Sequence, residues 1–272
     1  MRVIDAHTHI FPDKIADKAT IATAEYFDMP EPPNHHGKVQ ELLDVLAEAG
    51  IEYAMVFSAA TSEHQVEHIN RYIFKEAQAH PQFIPCGTMH ADYAANQDFK
   101  AELAWMRQNG LHGLKIHPEF QHFVLDDERM FPVYEEMEKN DMFLISHTGD
   151  PRVNVSGPER MFRVATTFPR LRCIATHLGN WGDWDMGKIR PITELPNIYV
   201  DISSSFSYVE DKGPLMDILH AYDPKHIFFG SDYPIWCPKK ELEKTLRLGI
   251  EPGLLEDILF HNFAAFYHYR AL

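Results

Sequence analysis

Cysteine is scarce in this 272-residue chain: Cys86, Cys173 and Cys237 are odd in number and widely spaced. They give no disulfide framework, which points to a reducing compartment. Basic residues are outnumbered, with 25 Lys and Arg against 40 Asp and Glu, a net charge of −15 with histidine neutral. Such an acidic field offers no footprint for a nucleic-acid backbone, and by itself it identifies no partner. No apolar run approaches the roughly 20 residues that span a bilayer. The first residues enter a strand-like segment without the charged lead and apolar core of a secretion signal. The expectation is a cytoplasmic protein without membrane or nucleic-acid partners. Glycine is missing from "HTHIFP", where a dinucleotide-binding sheet would carry its phosphate turn. Linkers and low-complexity tracts are absent too, so residues 1–272 read as a single domain.

What is present is alternation. Short apolar runs bounded by Gly, Pro, Asn or Asp occur at "RVIDAH", "EYAMVFS", "FIPCGTM", "GLKIH", "MFLISH", "LRCIATH", "NIYVDIS" and "HIFFGSD". They have the character of strands buried on both faces of a parallel sheet. Helical patterns lie between them. "KVQELLDVLAEAG" puts Val39, Leu42, Leu43 and Leu46 on one stripe and stops at Gly50. "SEHQVEHINRYIFKEAQAHP" opens on Ser62 as a cap and stops before Pro81, and Pro132 falls early in "DDERMFPVYEEMEKN". Parallel strands need long crossovers. Eight strands alternating with helices therefore predict an α/β fold, a (β/α)8 TIM barrel. His117, His147 and His177 are 30 residues apart each time, close to one βα unit, and Asp201 precedes Asp232 by 31. The excess length after the first strand, residues 11–36 with the Pro-rich "DMPEPPNHHG", predicts an insertion over one barrel mouth. The tail "EPGLLEDILFHNFAAFYHYRAL" predicts a last amphipathic helix on the barrel exterior.

The strand ends carry the chemistry. "DAHTHI" places Asp5, His7 and His9 at alternate positions, which in a regular strand share a face. Later strands close on Lys115 and His117, on His147, on His177 and on Asp232. A TIM barrel gathers its C-terminal strand ends into the active site. Any one of these histidines could be a satisfied core residue. As a set at barrel spacing they are costly to bury without partners, and His7, His9, His147 and Asp232 supply three nitrogens and a carboxylate for a divalent metal.

"DAHTHIFP", "GLKIHP", "ISHTGD", "ATHLGN" and "FGSDYP" resemble the motif series of the amidohydrolase superfamily, most of all its amidohydrolase-2 branch, the relatives of aminocarboxymuconate-semialdehyde decarboxylase. The likeness runs through nearly the whole chain, although the closing helix has Asn262-Phe263 where "NA" is usual. It implies that His7, His9, His147 and Asp232 bind metal. It makes His177 a second-metal ligand in two-metal relatives, or a contact to the activated water or substrate in one-metal relatives. Lys115 would be a cation for a substrate carboxylate or, in the two-metal case, a carbamylated bridge. His117 is a pocket residue or strand-end packing.

A bound divalent ion lowers the pKa of water to about 7, with Asp232 as general base and His177 as the second catalytic group. The expectation is a metal-dependent hydrolase of a small amide, lactone or ester. The alternative from the same groups is nonoxidative decarboxylation of an aromatic or unsaturated acid. Phe11, Phe120, Trp181, Trp184, Tyr233 and Trp236 suggest an aromatic pocket for a small organic molecule. Arg152 is either a carboxylate clamp or a surface residue, and Trp181 either covers the mouth or packs beneath its loop. Asp5 and Asp201 are expected behind the ligands. One ion per chain is favoured, zinc first, with manganese, iron and cobalt acceptable to the same donors. A homodimer is the base-rate expectation.

Overall fold

The computed structural model describes residues 1–29, 32–33 and 35–269. Each of the eight apolar runs forms a strand: β1 Ile4–His9, β2 Tyr53–Phe57, β3 Phe83–Thr88, β4 Gly113–Ile116, β5 Phe143–Ser146, β6 Arg172–Ala175, β7 Ile198–Asp201 and β8 Ile227–Phe228. They pair in parallel in sequence order. The ends of the sheet meet through Ala6 N–H to Phe229 O (2.9 Å), Asp232 N–H to His7 O (2.9 Å) and His9 N–H to Tyr233 O (2.7 Å). The result is an eight-stranded TIM barrel with helices outside. Among the described residues no helix is long and apolar enough to cross a membrane.

Local chemistry sets the element ends. The helix Val39–Ala49 buries Leu42, Val45 and Leu46 and stops at Gly50, whose φ of 68° most side chains avoid. The helix Val66–Ala79 follows a short 3-10 turn, and Ser62 does not cap it. Instead Gln65 Oε1 accepts the Thr61 N–H at 2.8 Å and the Thr61 hydroxyl at 3.0 Å. Those bonds reach back to the residue before Ser62 and leave the first-turn N–H groups without a side-chain cap from Ser62 or Gln65. Pro132 does fall in the first turn of Phe131–Lys139, where its missing N–H costs nothing.

Two expectations are corrected. The alternation in "DAHTHI" is broken by a register shift between Asp5 and Thr8: Asp5 pairs with Ala54 but His9 pairs with Phe57. Such a bulge adds one residue and switches the face. Ile4 and Ala6 accordingly join the apolar barrel interior below the bulge, while His7 and His9 turn inward above it and Asp5 does not share their face. The C-terminal segment, helical over Pro252–Glu256 and Asn262–Phe266 with a wider turn between, lies against the barrel bottom rather than its flank. Phe260, Phe263, Phe266 and Tyr267 pack with Phe143, Ile145, Ile174 and Phe228 of the interior. The bottom layer needs a large apolar plug, and these aromatics supply it. Gly113 belongs to the same layer: a Cβ there would lie 2.2 Å from Phe143 Cζ.

The insertion after β1 is largely helical, Asp13–Tyr26, with 14 residues. It does stand over the C-terminal mouth. Of "DMPEPPNHHG", residues 30, 31 and 34 lie outside the described residues.

Candidate metal centre and active site

Three donors from opposite ends of the chain converge at the barrel mouth. His7 Nε2 lies 3.3 Å from His9 Nε2 and 3.2 Å from Asp232 Oδ1, and His9 Nε2 lies 3.6 Å from the same oxygen. Their approach depends on β8 passing close to β1 at Gly230, where a Cβ would sit 2.8 Å from that of His7. His7 Nδ1 is 2.9 Å from Asp201 Oδ2. A carboxylate only accepts, so the ring proton sits on Nδ1 and Nε2 offers its lone pair to the cluster. Asp201 also accepts the His177 N–H and the Ser203 N–H, both at 3.1 Å, and the Ser203 hydroxyl at 2.5 Å. Asp201 is thus the support expected of it. Asp5 does a different job: its Oδ1 takes the backbone N–H of His7 (3.1 Å) and of Ser231 (2.9 Å), stitching β1 to the loop after β8.

The electrostatics suit a cation. Burial, reinforced by Lys115, lowers the His7 imidazole to about 4, and burial likewise lowers His9. Burial would raise the Asp232 carboxyl, but His7, His9 and His177 outweigh it and hold the group well below its ordinary value. At neutral pH the cluster therefore presents bare imidazoles and a carboxylate, the protonation state a divalent ion requires. Ser204 Oγ–H donates to Asp232 Oδ2 at 2.6 Å and accepts Trp236 Nε1–H at 3.0 Å, fixing the carboxylate's orientation. His177, Ser204 and Asp232 all carry positive φ, 60°, 59° and 63°. Non-glycine residues avoid this region, and strain of this kind gathers at functional sites.

His147, the fourth expected ligand, is not in that group of three. Its Nε2 donates to Gly149 O at 2.9 Å, and its Nδ1 faces His177 Nε2 at 3.0 Å. His177 Nδ1 lies 2.9 Å from Ser203 O, so its proton is also on the far nitrogen and the two imidazoles meet lone pair to lone pair. His117 stacks on His147 with ring centres 4.2 Å apart, and its Nδ1 is 3.1 Å from Glu119 Oε2 without being aligned to donate to it. Burial drives both His117 and His147 well below the ordinary imidazole range.

Lys115 is fully buried behind the cluster, its Nζ 3.3 Å from His7 Nε2 and 4.8 Å over the Phe57 ring. Burial lowers it to about 8 against the pull of Asp201 and Asp232. It does not line the cavity in front of the histidines. That cavity, about 370 Å3, is bounded by His7, His9, His117, His147 and Asp232 on its floor side and by Phe11, Phe120, Trp181, Tyr208 and the insertion helix elsewhere. Arg152 is not in the lining either: Asp150 accepts its Nε and Nη2 at 2.9 and 2.8 Å. Trp184 donates to His177 O at 3.0 Å, and Tyr233 is fully buried with its hydroxyl on Lys38 O. Sequence reasoning passed over Ser203 and Ser204, which the polar run "SSS" after β7 could have flagged. It also passed over Tyr26, Phe27 and Tyr208, for which no local signal exists.

A family model described as "Amidohydrolase" (Amidohydro_2) matches residues 4–269. The chain belongs to that family. A dihydroorotase from Mycosarcoma maydis is 28% identical over 175 residues, 55% of this chain. The match spans only 43% of that relative's length. Among solved structures, the chain is similar to a 5-carboxyvanillate decarboxylase from Sphingomonas paucimobilis (17% identity, 98% and 99% of the two chains, TM-score 0.73). It is also similar to a dihydroxybenzoic acid decarboxylase from a Polaromonas species with bound manganese and 2-nitroresorcinol (14%, 99% and 98%, TM-score 0.75). A probable 2-pyrone-4,6-dicarboxylic acid hydrolase from Acinetobacter baumannii is a third (13%, 98% and 100%, TM-score 0.71). At these identities the structural likeness establishes the fold. Membership of the amidohydrolase-2 family and the His7–His9–Asp232 cluster together give the chain a candidate site for a divalent ion.

Proposed function

We propose that the protein is a nonoxidative decarboxylase of a small aromatic or unsaturated monocarboxylic acid, working with one divalent ion, zinc or manganese, at His7, His9 and Asp232. The observation that carries this reading is the cavity's composition. Among the described residues its lining contains no Lys and no Arg, and away from the histidines and Asp232 it is aromatic or aliphatic apart from the neutral hydroxyls of Thr23, Thr61, Tyr26, Ser204 and Tyr208. Positive charge to meet an anion would come from a cation held at the His7–His9–Asp232 end. A substrate with one carboxylate at that end and an apolar body matches this layout, whereas a dicarboxylate would leave a second charge against apolar walls. The named decarboxylases among the similar structures lend the same support, and they reverse the order in which the sequence ranked the two chemistries.

A bound divalent ion supplies Lewis acidity and positive charge for the substrate's anionic end. The remaining work falls to the chain. Phe11, Phe120, Phe27 and Trp181 hold the ring and keep water from it. Asp232 rests as a carboxylate, so it first takes a proton from solvent. Oriented by Ser204, it then delivers that proton to the substrate carbon, the C–C bond pair returns to the ring as carbon dioxide departs, and the carboxylate is restored. Asp201 keeps His7 in the ligating tautomer. His177 and His147 turn their protons outward to Ser203 O and Gly149 O and face each other through their other nitrogens, so neither donates to the substrate's carboxylate, whose charge the ion would meet.

Hydrolysis is the second reading, favoured by one fact: the depressed Asp232 carboxyl is a ready acceptor for a proton from water. Metal-loaded protein assayed against hydroxybenzoates and other aromatic monoacids separates the two. Carbon dioxide release abolished by Asp232→Asn supports decarboxylation. Turnover of lactones or esters with solvent oxygen in the product, and no carbon dioxide, would refute it.

A further inference from the structure

The insertion helix Asp13–Tyr26 ends directly over the two stacked histidines. Phe27 follows it, and its ring centre lies 4.7 Å from Trp181, 5.5 Å from His147, 5.8 Å from Phe120 and 6.0 Å from His117. Ala19, Ala22 and Thr23, small residues on the same helix, face the same cavity. The width left for a ring is therefore set by where this helix rests on the barrel.

Arg152 fastens it there. Nη1 donates to Tyr26 O, one of the terminal carbonyls that no helical N–H can satisfy, and lies 3.6 Å from Asp28 Oδ2. Nε and Nη2 grip the buried Asp150 carboxylate in a fork that anchors the guanidinium to the barrel side. Its plane lies 4.6 Å over the Tyr26 ring and 5.3 Å from the Phe27 ring. A cation at the C-terminal end of a helix is also favoured by the helix dipole. Nε, Nη1 and Nη2 are thus directed at the wall and its anchor, and Arg152 does not line the cavity.

We propose that Arg152 is a positioning residue: it latches the end of helix 13–26 to the barrel, and through Phe27 that latch sets which ring the site admits. The inference rests on the reading of the cavity as an aromatic-acid site, and its test is built so that the two can fail separately. Amide hydrogen exchange is followed by mass spectrometry in the whole protein for wild type, Arg152→Ala and Arg152→Lys. Binding of benzoate and of 2-naphthoate to the zinc-loaded proteins is measured by calorimetry. Arg152→Ala is expected to accelerate exchange in residues 13–29 by about tenfold or more, leaving the peptides of β4 to β6 unchanged. Lysine, which keeps the charge near Asp150 but loses the fork and the stack, should restore protection only in part. Wild-type preference for benzoate over 2-naphthoate should shrink in Arg152→Ala, because the wall can yield to the wider ring.

Unchanged exchange in residues 13–29 overturns the proposal, and so does acceleration spread evenly through every strand. Equal loss of both acids with exchange unchanged would mean that Arg152 touches the carboxylate itself. Exchange decides the matter even if neither acid binds. If no benzoate loses carbon dioxide while these results hold, the decarboxylase reading falls and the latch stands.

Discussion

Replacing Asp201 by asparagine tests the logic of the centre most directly. The side chain is fully buried and accepts four hydrogen bonds, three on Oδ1 and the His7 Nδ1–H on Oδ2. Burial pushes its carboxyl up, but His7, His177 and Ser203 outweigh it and hold the group at about 2. Asparagine has nearly the same shape and only one acceptor oxygen. With that oxygen kept by the three donors, the amide NH2 would face the His7 Nδ1–H, donor against donor. Moving the imidazole proton to Nε2 relieves the clash but aims it at His9 and Asp232, where a ligand lone pair is needed. Loss of such an outer partner costs roughly 10- to 100-fold in metal affinity, or about 1.4–2.8 kcal/mol. Competition of the apo protein with a chromogenic zinc chelator at neutral pH reads this out, with circular dichroism confirming that the barrel is intact. Affinity equal to wild type in a folded Asp201→Asn protein would refute the tautomer argument, and with it the assignment of His7 as a ligand through Nε2.

Three further outcomes follow from buried groups elsewhere. Burial raises the Asp5 carboxyl to about 7, so the folded state binds a proton the unfolded chain has released, and stability falls as pH rises from about 4 to about 7. Asp5→Asn keeps an acceptor for the His7 and Ser231 N–H groups and should melt above wild type at about pH 8, the gap closing near pH 4; an equal gap at both would contradict the cause. Phe266→Ala removes a ring packed on Phe143, Tyr199 and Phe228 at the barrel bottom, and urea denaturation should record a loss of about 3–5 kcal/mol with metal content unchanged. Burial raises the Cys86 and Cys173 thiols far above their ordinary range, whereas Cys237 is partly exposed. Iodoacetamide on the native protein should therefore label Cys237 alone, as intact mass would show.

Much of the fold was legible because its signals are local. The eight strands announced themselves as apolar runs ended by turn formers, and Gly50 and Pro132 marked helix ends through their own backbone constraints. The polar strand ends were legible for the same reason, since His7, His9 and Asp232 interrupt apolar runs at positions a barrel brings together. The bulge at Asp5–Thr8 was not: it arises from pairing with β2, and a sequence that alternates along one strand cannot disclose a shift made against its neighbour. Ser62 takes the extended backbone of a cap, with φ −153°, but makes no capping bond, while Gln65 reaches back to Thr61, a contact that cap propensity alone does not disclose.

The sequence by itself thus determined the period of the barrel and the residue types available at its mouth, because both are written residue by residue along the chain. Only the tertiary structure decided how those residues divide. It joined His7, His9 and Asp232 and turned His147 toward His177. It set Lys115 behind the cluster, gave Arg152 to Asp150 and Tyr26, and made Phe27 a wall of the site. Each of those outcomes depends on contacts between segments far apart in the chain, whose distances are fixed when the barrel closes and are nowhere encoded in local pattern.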